Sequence, residues 1–153
     1  MSSSTASPRV AAALPAPYRD RLMGCARRVS FPDGARLFEE GGAADRFWVV
    51  RTGNVALDAR VPGRPRAVVE TVGTGELVGC SWLFAPYRWN LGAEATTPVR
   101  ADEFDARRVR ELMDADPAFG SALGHVVGRV LAHRLSSARI RLLDLYAPHG
   151  SGL

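Results

Sequence analysis

Gly75-Glu76-Leu77-Val78-Gly79-Cys80-Ser81-Trp82-Leu83-Phe84-Ala85-Pro86-Tyr87-Arg88-Trp89-Asn90 is the stretch on which the reading of this chain turns. It fits neither a plain strand nor a plain helix. Gly75 and Gly79 permit tight turns and close approach of a ligand, Ser81 is a candidate N-cap, and Pro86 stops any helix begun there. One exposed helical turn is left. The first amides of such a turn lack partners and attract an anion, and Arg88 just downstream adds a planar cationic fork. The segment reads as a phosphate-cradling loop.

Upstream of it the apolar period is two. Val29 to Phe31, Arg36 to Phe38, Arg46 to Val50, Val55 to Val61 and Arg66 to Val72 alternate with turn chemistry such as Pro32-Asp33-Gly34, Thr52-Gly53-Asn54 and Pro62-Gly63-Arg64-Pro65. Ala93 to Thr97 and Val99 to Phe104 resume the pattern after the loop. Many short strands at even spacing predict a mainly β fold with C-terminal helices: an antiparallel β-roll or jelly-roll barrel over about 29–104. Residues 1–15, rich in small residues and poor in bulky apolar ones, are expected to be a disordered tail, and Pro17 to Arg28 a short packing helix. The domain then covers 16–146, with helices over about 105–146 and a flexible tail at 147–153.

Two helices are expected after the strands. Ala106 to Met113 is short, and Asp116-Pro117 supplies a cap and a first-turn proline for a long one running towards Tyr146. Along the long helix Gly124, Gly128, Leu131, Leu135, Ala138, Leu142 and Leu145 step by four and three in alternation, the spacing of a two-helix seam, which predicts a homodimer. The competing reading packs this stripe on the chain's own strands, although Phe119, Leu123, Val126 or Val127, and Val130 offer another apolar face for that purpose. Gly124 and Gly128 each weaken a helix by ~1 kcal/mol, and close approach of a second backbone is the simplest reason for them.

Composition narrows the function. The chain has 153 residues and a net charge of +4, and all 20 basic residues are arginine. They are interleaved with acidic and apolar residues, so a solvated face is expected rather than a nucleic-acid surface. No apolar run approaches the ~20 residues of a membrane helix and no export signal opens the chain, so the expected location is the cytoplasm, with no membrane contact. Cys25 and Cys80 have neither a disulfide framework nor metal-ligand spacing and read as reduced thiols. His125, His133 and His149 all follow the strands. His125 and His133 are too far apart along a helix to share an ion, and solvent-facing positions are expected, with no metal site. No nucleophile, phosphate-loop or dinucleotide motif is present, so no catalytic residue and no enzyme activity are expected.

The order of elements resembles the cyclic nucleotide-binding domain of the catabolite-activator (Crp/Fnr) family. The likeness covers roughly Tyr18 to Tyr146. It rests on Phe31-Pro32-Asp33-Gly34, on Trp48-Val49-Val50 followed by Gly53-Asn54-Val55, on Gly75-Glu76-Leu77-Val78-Gly79, and on Asp116-Pro117. The resemblance implies a ligand pocket inside the barrel, closed in part by a long helix that also pairs two copies, and a regulatory sensor that signals by moving this helix. Regulators of the family carry a helix-turn-helix domain after that helix, whereas seven residues follow Tyr146 here. A stand-alone sensor without direct nucleic-acid contact, acting through an unknown protein partner, is therefore expected.

The loop departs from the family pattern. Members that bind cyclic AMP or cyclic GMP place a glutamate directly after the second loop glycine, where Cys80 stands, and their phosphate-holding arginine falls, by ungapped counting, on Asn90-Leu91. Each lost partner costs ~1 to 3 kcal/mol for a buried polar ligand, so cyclic-nucleotide affinity should be weakened by orders of magnitude. The candidate ligand-binding set is Gly75, Glu76, Gly79, Cys80, Ser81, Trp82, Tyr87, Arg88, Trp89 and Asn90, for a small anionic effector such as cAMP, cGMP or a related molecule, with no other cofactor. An arginine among three aromatic rings can hold a planar or anionic guest. The same rings can instead fill the interior, which makes the chain a ligand-free scaffolding dimer.

Overall fold

The structure, a computed structural model, describes residues 7–151, with the side chains of Arg141 and residues 145–151 outside the description. In chain order, helices α1 (Val10–Ala13) and α2 (Ala16–Met23) precede strands β1 (Arg27–Phe31), β2 (Arg36–Phe38), β3 (Arg46–Thr52), β4 (Val55–Ala59), β5 (Ala67–Val72) and β6 (Leu77–Val78). The loop follows, then β7 (Gly92–Ala95), β8 (Val99–Asp105), α3 (Ala106–Ala115) and α4 (Pro117–Ser151). The strands form two antiparallel sheets in the orders β1-β8-β3-β6 and β2-β7-β4-β5.

The expected roll is present, but it is not a closed barrel: among the described residues no ladder joins the two sheets. Among the described residues strand β6 pairs only with β3, through Trp48↔Val78 and Val49↔Leu77, before Gly79 turns the chain away. Both sheets feed one apolar core. Phe47, Trp48, Val49 and Val50 of β3 are all buried, the continuous apolar run of a strand covered on both faces. Phe47 stacks on Phe104 of β8 with ring centroids 4.8 Å apart.

The helices cover this layer. Asp105 caps α3 by accepting a hydrogen bond from the Arg108 amide at 3.2 Å, and Asp116 does the same for Phe119 at 3.3 Å with Pro117 in the first turn. Phe119, Leu123, Val126, Val127 and Val130 are buried, so the face of α4 that the sequence offered for the chain's own roll is the one that packs there. An ion pair between Arg21 and Asp116 ties α2 to the start of α4.

Two boundaries differ from expectation. Residues 7–14 are not a loose tail: Val10 and Leu14 are buried and the Val10 amide donates to the Gly75 carbonyl at 2.9 Å. Two apolar side chains suffice because they meet a preformed surface, which a compositional reading cannot see. Helix α4 runs to Ser151 rather than ending at Tyr146.

Candidate effector-binding site

Gly79 leaves β6 at φ +99°, a left-handed conformation that only glycine adopts at little cost. A Cβ there would also stand 2.6 Å from the Trp89 ring. The indole of Trp89 is buried against this glycine and stacks on Phe38 at a centroid separation of 3.8 Å. The helical element between them is a single 3-10 turn, Ser81–Leu83, with Cys80 in the cap position and no side-chain cap. Ser81 thus lies inside the turn instead of capping it. Three residues sum too small a dipole to hold an anion by themselves.

The other loop residues separate. Trp82 is buried in the core, its Nε1 donating to the Gly79 carbonyl at 2.9 Å and its ring stacked on Phe47 at 3.9 Å. Tyr87, at φ +57°, lies under the Arg110 guanidinium, 4.0 Å from ring centre to charge centre. Arg88, expected to be the anion's partner, is exposed and, among the described residues, reaches only the Gly41 carbonyl, at 3.5 Å. The reason is a short ladder. The Gly41 amide donates to the Trp89 carbonyl at 2.8 Å, the Trp89 amide to Gly42 at 2.9 Å, and Ala43 bridges Arg88. Adjacent side chains of an extended segment point to opposite faces, so Trp89 inside puts Arg88 outside. Gly75 and Glu76 serve the far side, where the Glu76 carboxylate accepts from the Gly73 amide at 2.6 Å and Arg9 bridges residue 76.

A cavity of about 460 Å³ lies between this loop, the second sheet and α4. Gly79, Cys80, Ser81, Trp89 and Asn90 of the sequence-derived set line it, whereas Gly75, Glu76, Trp82, Tyr87 and Arg88 do not. Trp82 and Trp89 enter the core without filling the space. From α4 come Leu131, Arg134, Leu135 and Ala138, and Arg134 is the one charged side chain on the wall among the described residues. Sequence reasoning missed it. Its place one helical turn from Leu131 and Ala138 was legible, but the 54-residue separation from Cys80 that brings the two together was not.

Arg134 is fastened to the loop, its Nη2 donating to the Leu77 carbonyl at 2.6 Å and its Nη1 to the Cys80 sulfur at 3.2 Å. Its Nε stands 3.9 Å from Glu70 Oε1, and His133 Nε2 stands 3.5 Å from Glu70 Oε2. Burial holds the Glu70 carboxyl above its ordinary range, with Arg134 and then His133 opposing. Burial likewise pushes the Cys80 thiol up against the pull of Arg134, which leaves it protonated and poorly nucleophilic. His133 is therefore packed against β5 rather than solvent-facing, whereas His125 is exposed and the side chain of His149 lies outside the described residues. Cys25 and Cys80 are free thiols, and no metal-ligating cluster occurs among the described residues.

The seam stripe faces outward. A Cβ on Gly124 or Gly128 would meet nothing within 4 Å, and Leu131, Leu135 and Leu142 are 38%, 73% and 53% exposed. The side chain of Leu145 lies outside the described residues. No helix among them is long and apolar enough to cross a membrane.

A family profile described as the cyclic nucleotide-binding domain matches residues 28–116. The chain belongs to that family. This cyclic nucleotide-binding domain is 30% identical over 117 residues, 76% of its length, to a CRP-like cAMP-activated global transcriptional regulator of Mycobacterium tuberculosis, and it spans 50% of that relative. It also resembles a solved protein structure from Geobacter metallireducens, with TM-score 0.71, 29% identity, and coverage of 81% of this chain and 89% of that one. The Thermus thermophilus catabolite activator protein shares the fold, with TM-score 0.73, 22% identity, and coverage of 90% and 63%. The domain is thus related to regulators that sense ligands rather than to a family of enzymes.

Proposed function

We propose that this domain is an effector sensor: a small molecule enters the cavity, contacts the Gly79–Ser81 loop and Arg134, and changes how α4 sits on the roll. Helix α4 pairs with its counterpart in a second copy through the stripe from Gly124 to Leu142, and the paired helices pass the signal to a protein partner in the cytoplasm. It regulates and does not catalyse. The single observation that carries this reading is shared wall: Leu131, Leu135 and Ala138 border the cavity and also belong to the heptad stripe. A guest that touches these residues touches the seam.

A ligand-free scaffold has in its favour that Trp82 and Trp89 are both buried, but the cavity that persists beside Trp89 weighs against it. Hydrogen exchange of α4, with and without cyclic AMP, cyclic GMP and a panel of small amphipathic anions, tests the proposal. Slower exchange across 124–138 with one class of ligand supports a sensor, and unchanged exchange with all of them supports the scaffold. The effect should vanish when Val69→Trp fills the cavity.

A further inference from the structure

Resting on the reading of the cavity as the effector site, we propose that the effector is an amphipathic acid, an apolar body bearing one carboxylate, with the carboxylate on Arg134, and not a cyclic nucleotide. Two observations carry this. The first is the composition of the wall. Val69 and Leu57 on the sheet, Leu91 and Trp89 from the loop, and Leu131 and Leu135 on α4 make up most of the lining. Among the described residues no carboxylate lines it to receive ribose hydroxyls. A nucleotide would leave several polar groups unmatched there, each costly to bury, whereas a hydrocarbon body loses nothing by entering.

The second is the state of Arg134. Its side chain is 12% exposed, yet of its five N–H groups only two have hydrogen-bond partners among the described residues, the Leu77 carbonyl and the Cys80 sulfur. Its Nε is buried without a partner, as is Glu70 Oε1 facing it at 3.9 Å. Buried guanidinium groups are normally saturated with acceptors. A carboxylate reaching the two η nitrogens supplies them, and Ser81 and Asn90, which line the same cavity, are neutral donors. Glu70 does not exclude that anion. Its Oε1 faces the Nε of Arg134, 3.9 Å away, rather than the two η nitrogens. A single carboxylate suits one guanidinium, whereas a phosphodiester brings a sugar and base for which the wall has few polar partners.

The test is isothermal titration of the intact chain with decanoate, decan-1-ol and cyclic AMP, repeated with Arg134→Gln, Arg134→Lys and Val69→Trp. Decanoate should bind at least tenfold more tightly than decan-1-ol. Arg134→Gln should cut decanoate affinity by about ten- to a hundredfold while leaving the alcohol unchanged, since a charge-assisted hydrogen bond is lost and the apolar contacts are not. Arg134→Lys should restore part of the loss, and Val69→Trp should abolish both. Equal affinity for acid and alcohol overturns the acid. Binding of cyclic AMP without decanoate overturns the inference but leaves the effector site standing. If none of the three binds the wild-type chain, the inference and the effector site fall together. Should Arg134→Gln fail to fold, the acid-to-alcohol ratio in the wild type and the loss of decanoate binding in Val69→Trp decide the matter.

Discussion

Arg88 and Trp89 stand on the same short bridge to residues 41–44, and the backbone there sends neighbouring side chains to opposite faces. The cationic place in the cavity falls instead to Arg134, from the far end of the chain. Gly79 makes the indole's position possible. Gly79→Ala should destabilise the domain by about 1 to 3 kcal/mol in urea denaturation, through the positive φ and the 2.6 Å approach to Trp89. Glu70 gives a pH signature. Its folded carboxyl lies above its ordinary value of 4.5, so the folded state binds more protons than the unfolded one. The stabilisation present below pH 4.5 is lost as pH rises through the folded value. Stability curves from pH 4.5 to neutral should therefore fall more steeply for wild type than for Glu70→Gln. Parallel curves would show that Arg134 and His133 cancel the effect of burial, and a shallower fall for wild type that they outweigh it.

Elements differ in how much of them was legible. Each strand longer than two residues was readable because turn chemistry brackets it, and Asp116-Pro117 announced α4 through local capping physics. Strand β6 was not readable: two residues carry no period, and only pairing with β3 makes Leu77–Val78 a strand. Helix α1 was missed for a similar reason, since its four residues are held by burial of Val10 and a bond to the Gly75 carbonyl. Within α4, Gly128 separates two expectations. Gly128→Ala meets nothing within 4 Å in this chain, so it should raise the stability of the isolated protomer by about 1 kcal/mol through helix propensity. If a second backbone approaches there, the same change should raise the dimer dissociation constant about tenfold, read by sedimentation across a dilution series.

At the scale of the whole molecule, the outward stripe on α4 is the open apolar surface next to the cavity. Light scattering at micromolar concentration should give about twice the 16.5 kDa chain mass. Leu135→Glu, at the most exposed leucine of the stripe among the described residues, should shift the protein to monomer, because each copy would bury a charge where about 2 kcal/mol of apolar burial was available. Unaltered mass in that variant would move the interface elsewhere.

Local chemistry alone was enough for the succession of strands and helices, the positions of the main turns, the capping of α4, and the division of that helix into an inward and an outward face. Each depends on residues within a few positions of one another, where periodicity and backbone preference dominate. Which side chains meet at the cavity was decided by packing across the chain. A two-residue bridge turned Arg88 out and Trp89 in, and the lie of α4 along the roll brought Arg134 to Cys80, Leu77 and Glu70. Those are contacts between segments distant in sequence, and no spacing rule records them.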